Sequence, residues 1–125
     1  MLLKDFYKIL SLEKTATEKY SVSIFINAKH EVFKGHFPGN PIMPGVCMMQ
    51  IIKELVEQIV ESSLMMQTLS NVKFMALINP DVTPELRLEL DIAIGDDDLV
   101  KVKNTTYFNE TVALKLSSVY KKTTS

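Results

Sequence analysis

The sequence has 125 residues, with 14 Lys and Arg against 15 Asp and Glu, 46% hydrophobic residues, one Cys and no Trp. That length suits one domain, residues 1–125, with a single packed core. The near-cancelling charge argues against nucleic acid as a main partner, one Cys excludes an internal disulfide, and no apolar run approaches the roughly 18 residues that a membrane span requires. Charge interrupts the opening Met1-Leu2-Leu3-Lys4-Asp5, which does not read as a secretory signal. A soluble, cytoplasmic protein is expected.

In chain order, Leu2, Leu3, Phe6, Ile9 and Leu10 have helical spacing and predict a short amphipathic helix over residues 2–10. From Tyr20 the period becomes two: Tyr20, Val22, Ile24 and Ile26 alternate with polar residues as in a half-buried strand. The stretch from Gly35 to Gly45 then holds three of the five Pro and three of the four Gly. Such dense punctuation predicts a loop of fixed path.

Pro44 stands where a helix would begin, and the pattern predicts one from Pro44 to Ser62. Its first turns (Val46, Cys47, Met48, Met49, Ile51, Ile52) are apolar nearly all round, and later ones are amphipathic, so the helix starts inside the core. Four further strands are predicted: Val72 to Ile78, Leu86 to Ile94, Val100 to Phe108, and Val112 to Tyr120. Short turn signals join them, which suggests an antiparallel meander. The predicted class is α+β, one curved antiparallel sheet around one central helix.

The chemistry concentrates in GHFPGNPIMPGV, Gly35 to Val46. A histidine fixed by a Pro-Gly turn precedes a buried helix start, whose unpaired N–H groups and about half a positive charge can polarise a carbonyl. Imidazole, with an unperturbed pKa of about 6.5, can act as a neutral base at pH 7. The combination suits removal of a proton α to a carbonyl. Residue types alone fit His36 better as a turn or capping histidine.

The unbroken string His-Phe-Pro-Gly-x-Pro-x-Met-Pro-Gly-Val resembles the signature of the β-hydroxyacyl-acyl-carrier-protein dehydratases of FabZ and FabA type, which have the hotdog fold. Loop, long helix and four trailing strands follow in that family's order. The resemblance implies a 3-hydroxyacyl thioester on acyl carrier protein as substrate, a trans-2-enoyl thioester as product, and fatty-acid or related acyl biosynthesis as the setting. It implies no metal and no cofactor other than the carrier's phosphopantetheine arm. His36 would take the α proton, and the N–H groups of Gly45 and Val46 would hold the thioester carbonyl. Phe37, Pro38, Gly39 and Met43 would line the substrate path. A homodimer, or a heterodimer with a related dehydratase, would build each site from two subunits.

One departure stands out. Fourteen positions after the histidine, where the family has Glu or Asp, this chain has Gln50; four residues further, where Gln is common, it has Glu54. Gln can bond a hydroxyl but cannot donate a carboxylic proton. Three arrangements fit. His36 performs both proton transfers while Gln50 positions the hydroxyl. Glu54, roughly 6 Å further along the helix and about 40° round it, substitutes for the acid. Or the subunit is a weak or non-catalytic acyl-binding partner of an active relative. Gln50 also reads as the start of a polar stripe continued by Glu54 and Glu57, with Glu54 solvated. A hotdog acyl thioesterase, with Gln50 and Glu54 activating water, is the competing enzyme class.

Other candidates are weaker. Cys47 sits in the first helical turn, where a dipole lowers a thiol pKa, but reads better as a small buried residue. His30 reads as surface. Met43, Met48 and Met49 suit an adaptable acyl tunnel or ordinary core packing. Lys34, Lys73, Lys101 and Lys103 offer a basic patch for an acidic carrier, or a solvated face. Two His without a Cys or carboxylate cluster give no metal signature.

Overall fold

Period-two alternation and one long amphipathic run generate the architecture. The computed structural model describes residues 5–123. Its elements are β1 (Tyr7–Ala16), β2 (Lys19–Ile26), the short helix α1 (Val32–Gly35), the long helix α2 (Gly45–Val60), β3 (Leu64–Phe74), β4 (Glu85–Ile94), β5 (Leu99–Phe108) and β6 (Thr111–Lys122). The strands form one antiparallel sheet in the order β1-β2-β4-β5-β6-β3.

Helix α2 lies against the inner face of this curved sheet. Cys47, Met48, Ile51, Ile52, Leu55 and Val56 are its buried residues, and their three- and four-residue spacing makes one stripe. The stripe joins Val22, Ile24 and Ile26 of β2, Leu86, Leu88, Leu90 and Ile92 of β4, Val100 and Val102 of β5, and Leu114, Leu116 and Tyr120 of β6 in one core. Burying each such aliphatic side chain contributes roughly 1.5–3 kcal/mol. The arrangement is the α+β hotdog fold. At the far end of α2 the chain turns through Glu61, left-handed at φ 56. The Leu64 N–H donates to the Glu57 carboxylate at 2.8 Å, tying the helix end to the start of β3.

Three expectations need correction. The predicted helix over residues 2–10 is absent from its described part: Tyr7 onward is strand β1, and residues 2–4 lie outside the described residues. A register shift between Ile9 and Ser11 breaks period two, so the partly buried residues Tyr7, Ile9 and Leu12 are spaced two and then three apart and leave no clean strand alternation to read. The first strand after α2 runs over Leu64–Phe74, earlier than residues 72–78. It is an edge strand, mostly exposed on both sides, and so lacks a clean alternation. Finally, β4, β5 and β6 do form a meander, but β3 pairs with β6 at the far edge and not with β4.

Candidate functional site

His36 leaves the end of α1 at φ −145 and ψ 70, and the His36–Phe37 peptide bond is cis. The following turn is closed from both sides: the Phe37 N–H donates to Asn40 O at 3.1 Å, and the Asn40 N–H to Phe37 O at 2.9 Å. Gly39, at φ 73, supplies the left-handed residue the turn needs. Ile42 then grips His36 twice. Its N–H donates to the His36 carbonyl at 2.9 Å, and its own carbonyl lies 3.0 Å from His36 Nδ1. A carbonyl only accepts, so Nδ1 carries the proton in the neutral ring and Nε2 keeps its lone pair. The Phe37 ring stacks on the imidazole with centroids 4.3 Å apart. The arrangement leaves the Nε2 lone pair as the accepting site of the neutral ring.

The helix start lies beside this ring. The Met43 N–H donates to Ile78 O at 2.9 Å, anchoring the loop to the segment after β3. Pro44 is the N-cap and provides no side-chain cap. The N–H groups of Cys47 and Met48 reach back to Pro44 O at 3.1 and 3.3 Å, whereas Gly45 and Val46, at the first two helical positions, have no intrahelical acceptor. Gly45 lets the Phe74 ring approach closely: a Cβ there would lie 2.7 Å from its Cζ, and the ring would have to shift.

A cavity of about 650 Å³ opens at this point, lined by His36, Phe37, Met43, Gly45 and Met48 on one side and by residues 74–78, Ala113 and Leu114 on the other. Its wall is apolar apart from the imidazole and backbone, as an acyl chain requires. Of the predicted site residues it brings together His36, Phe37, Met43 and Gly45. Pro38 and Gly39 belong to the exposed turn and Val46 points its side chain outward, so none of the three lines the cavity. The lining from Phe74 to Ile78 was missed in the sequence because that stretch reads as an ordinary strand.

Gln50 and Glu54 stand apart from this cavity and together with each other. Gln50 Nε2 donates to Glu54 Oε2 at 2.9 Å, and the Tyr7 hydroxyl on β1 donates to Glu54 Oε1 at 2.9 Å. Glu54 is therefore a half-buried, bonded carboxylate, not the solvated residue of a polar stripe. Burial first, then the hydrogen bond to Glu54 and its charge, holds the Tyr7 phenol well above its ordinary range. Tyr7 carries no motif; the four-residue spacing of Gln50 and Glu54 was the only sequence signal for this cluster.

The remaining candidates also find places. Burial raises the Cys47 pKa, so the helix start does not activate this thiol. His30 is half-buried, correcting the surface reading: its Nδ1 accepts from the Val32 N–H at 3.1 Å and its ring meets Phe6 edge-on at 5.0 Å. Met49 only borders the core, while Met43 and Met48 belong to both core and cavity. Lys101 and Lys103 line a separate groove of about 490 Å³ with the Lys19–Asp91 ion pair. Among the described residues no helix is long and apolar enough to cross a membrane.

A family model described as ApeI-like, ApeI dehydratase, matches residues 12–115. The 3-hydroxyacyl-acyl-carrier-protein dehydratase FabZ of Rhizorhabdus wittichii is 30% identical over 122 residues, covering 90% of this chain and 74% of that protein. FabZ of Caulobacter sp. is 29% identical over 91 residues, covering 65% of this chain and 54% of its own length; FabZ of Rickettsia conorii is 33% identical over 67 residues, covering 47% and 46%. The chain thus spans about half the length of the last two. Among solved structures, the dehydratase heterocomplex ApeI:P from Xenorhabdus doucetiae matches with a TM-score of 0.71 at 16% identity, over 92% of this chain and 97% of that one. A hypothetical thioesterase with coenzyme A from Streptococcus pneumoniae matches with a TM-score of 0.66 at 11% identity, over 98% and 91%. At these identities the structural matches establish the fold alone.

Proposed function

The chain belongs to the ApeI-like family of dehydratases, and from that membership we propose that it converts a 3-hydroxyacyl thioester on acyl carrier protein to the trans-2-enoyl thioester and water. The observation that carries the reading is the His36 ring, held through Nδ1 by the Ile42 carbonyl in the wall of an apolar cavity that meets the start of α2. His36 Nε2 removes the α proton. The resulting enolate oxygen accepts from the Gly45 and Val46 N–H groups, where the helix dipole favours negative charge. The Cα–Cβ double bond forms as the C3–O bond breaks, and His36 returns its proton to the departing hydroxide, which leaves as water. No cofactor is used; the thioester carbonyl takes up the electrons. The acyl chain lies against Met43, Met48 and the segment from Phe74 to Ile78.

A second subunit of the same fold completes the site, either another copy or a related dehydratase. Two observations support this. Phe74, Met75 and Leu77 beside the cavity, and Met65 and Met66 on β3, expose large apolar surface, and β3 is an unpaired edge of the sheet. Gln50 does not line the same chain's cavity; from a second subunit it would bond the substrate hydroxyl as it leaves. Glu54, already accepting from Tyr7 and Gln50, is not assigned the acid's part. The same two bonds leave a water-activating pair of Gln50 and Glu54, the thioesterase alternative, without a supporting observation. A cytoplasmic setting in acyl biosynthesis is part of the proposal.

The test is hydration of a trans-2-enoyl thioester by the purified protein, alone and with a candidate partner dehydratase. The expected result is turnover that falls about 100-fold or more in His36→Ala, the scale on which a general base contributes. Enoyl-thioester binding without His36-dependent turnover in either setting would instead establish an acyl-binding subunit. Thiol release without hydration would establish a thioesterase.

A further inference from the structure

The amide of Gln50 has two chemically opposite ends, and the structure commits one of them. Its Nε2 faces Glu54 Oε2 at 2.9 Å. A carboxylate oxygen accepts, so the nitrogen belongs there. The other oxygen of the same carboxylate, Oε1, accepts from the Tyr7 hydroxyl at 2.9 Å. Tyr7 comes from β1, 47 residues away in sequence, and its backbone is held by pairing with Ile26 of β2. The helix alone leaves a Glu side chain several rotamers; the hydroxyl from the sheet selects the one in which the carboxylate meets Gln50.

We infer that Tyr7 is a positioning residue: through Glu54 it fixes the Gln50 amide so that the carbonyl oxygen Oε1, and not the N–H end, is presented to the substrate. The inference rests on the proposed dehydratase reading, in which Gln50 meets the leaving hydroxyl. It gives that residue a definite part. An amide oxygen accepts the hydrogen of the C3 hydroxyl and thereby points a hydroxyl lone pair toward the proton that His36 returns. The exchanged order of Gln and Glu along the helix then makes chemical sense: the carboxylate is withdrawn one turn from the substrate and used to orient the amide.

The experiment compares Tyr7→Phe in two backgrounds, the parent and Gln50→Ala, by steady-state hydration of an enoyl thioester. It also follows the Gln50 side-chain amide by NMR in the parent and in Tyr7→Phe. Tyr7→Phe keeps the ring and removes only the hydroxyl. In the parent background kcat is expected to fall roughly 3- to 30-fold with KM little changed, the scale of a misaligned but present group. In the Gln50→Ala background the same change is expected to matter less than about twofold, because nothing remains to be positioned. The Gln50 amide signals should shift and exchange faster with solvent. An equal loss of kcat in both backgrounds, or unchanged Gln50 amide signals, overturns the inference and leaves Tyr7 a purely structural residue. A parent protein without His36-dependent hydration refutes the proposed function itself, and the amide signals still decide whether Tyr7 orients Gln50.

Discussion

Replacing Gln50 by Glu sets a second carboxylate against Glu54, and the outcome follows from one distance. Gln50 Nε2 stands 2.9 Å from Glu54 Oε2, so the near-isosteric carboxyl faces oxygen with oxygen where a hydrogen bond was. At that separation two unit charges repel by about 1.4 kcal/mol in a medium of ε ~80 and by about 6 kcal/mol at ε ~20. Both side chains are half-buried and can turn apart, which places the cost near the lower end, about 1.5–3 kcal/mol. Two carboxylates in contact repel when both are ionised, so the variant pair holds a shared proton to higher pH than a lone Glu does. Because the folded-state pKa is raised above the unfolded one, the variant matches the parent below about pH 4 and loses stability progressively as pH rises through the shifted value. Urea unfolding of parent and Gln50→Glu from pH 4 to pH 8, at matched protein concentration, reads this directly. A stability gap that stays constant over that range would refute the contact between residues 50 and 54. Adding Glu54→Gln restores an amide–carboxylate pair of reversed polarity and should remove the pH dependence.

Two further outcomes follow from the site. Gly45→Ala drives a methyl group to within 2.7 Å of the Phe74 ring; the ring is 57% exposed and free to swing aside, so stability should change by less than about 1 kcal/mol, while KM for the enoyl thioester rises because a wall of the cavity has moved. Thermal melting and steady-state kinetics separate the two, and a large melting shift with unaltered kinetics would reverse the assignment. Cys47, whose pKa is raised by burial, should react slowly with a thiol reagent in the folded protein at pH 7 and rapidly in denaturant; equal rates would show an open first turn.

The sequence disclosed what depended on short-range pattern. Helix α2 and the β4–β5–β6 hairpins were legible because each buries one clean stripe, the helix starting at Pro44-Gly45 and the hairpins turning at Gly95 to Asp98 and at Asn109. His36, Gly45 and Met43 were singled out by the resemblance of their string to the dehydratase signature, and the three meet in one cavity. Strand β1 was not, since a bulge breaks the alternation of its partly buried residues, and misreading it hid Tyr7. Glu54 was misjudged for the same reason: its partner lies on a strand whose place beside α2 is decided by the pairing of β1 with β2, which no local period records. Strand β3 was misplaced because an edge strand with both faces largely exposed has no apolar alternation to read.

The position of β3 has a kinetic consequence. It is third in synthesis but last in the sheet, and its partner is the final strand, with Leu64 opposite Lys122. The hairpins of β4, β5 and β6 can close as soon as each turn leaves the ribosome, whereas β3 waits with its backbone N–H and C=O groups unpaired until β6 has emerged. Pairings so distant in sequence carry the larger loop-closure entropy. The nascent chain therefore holds an apolar, unpaired strand for the whole time its last three strands are being made, the state in which chains of this kind associate wrongly and recruit chaperones.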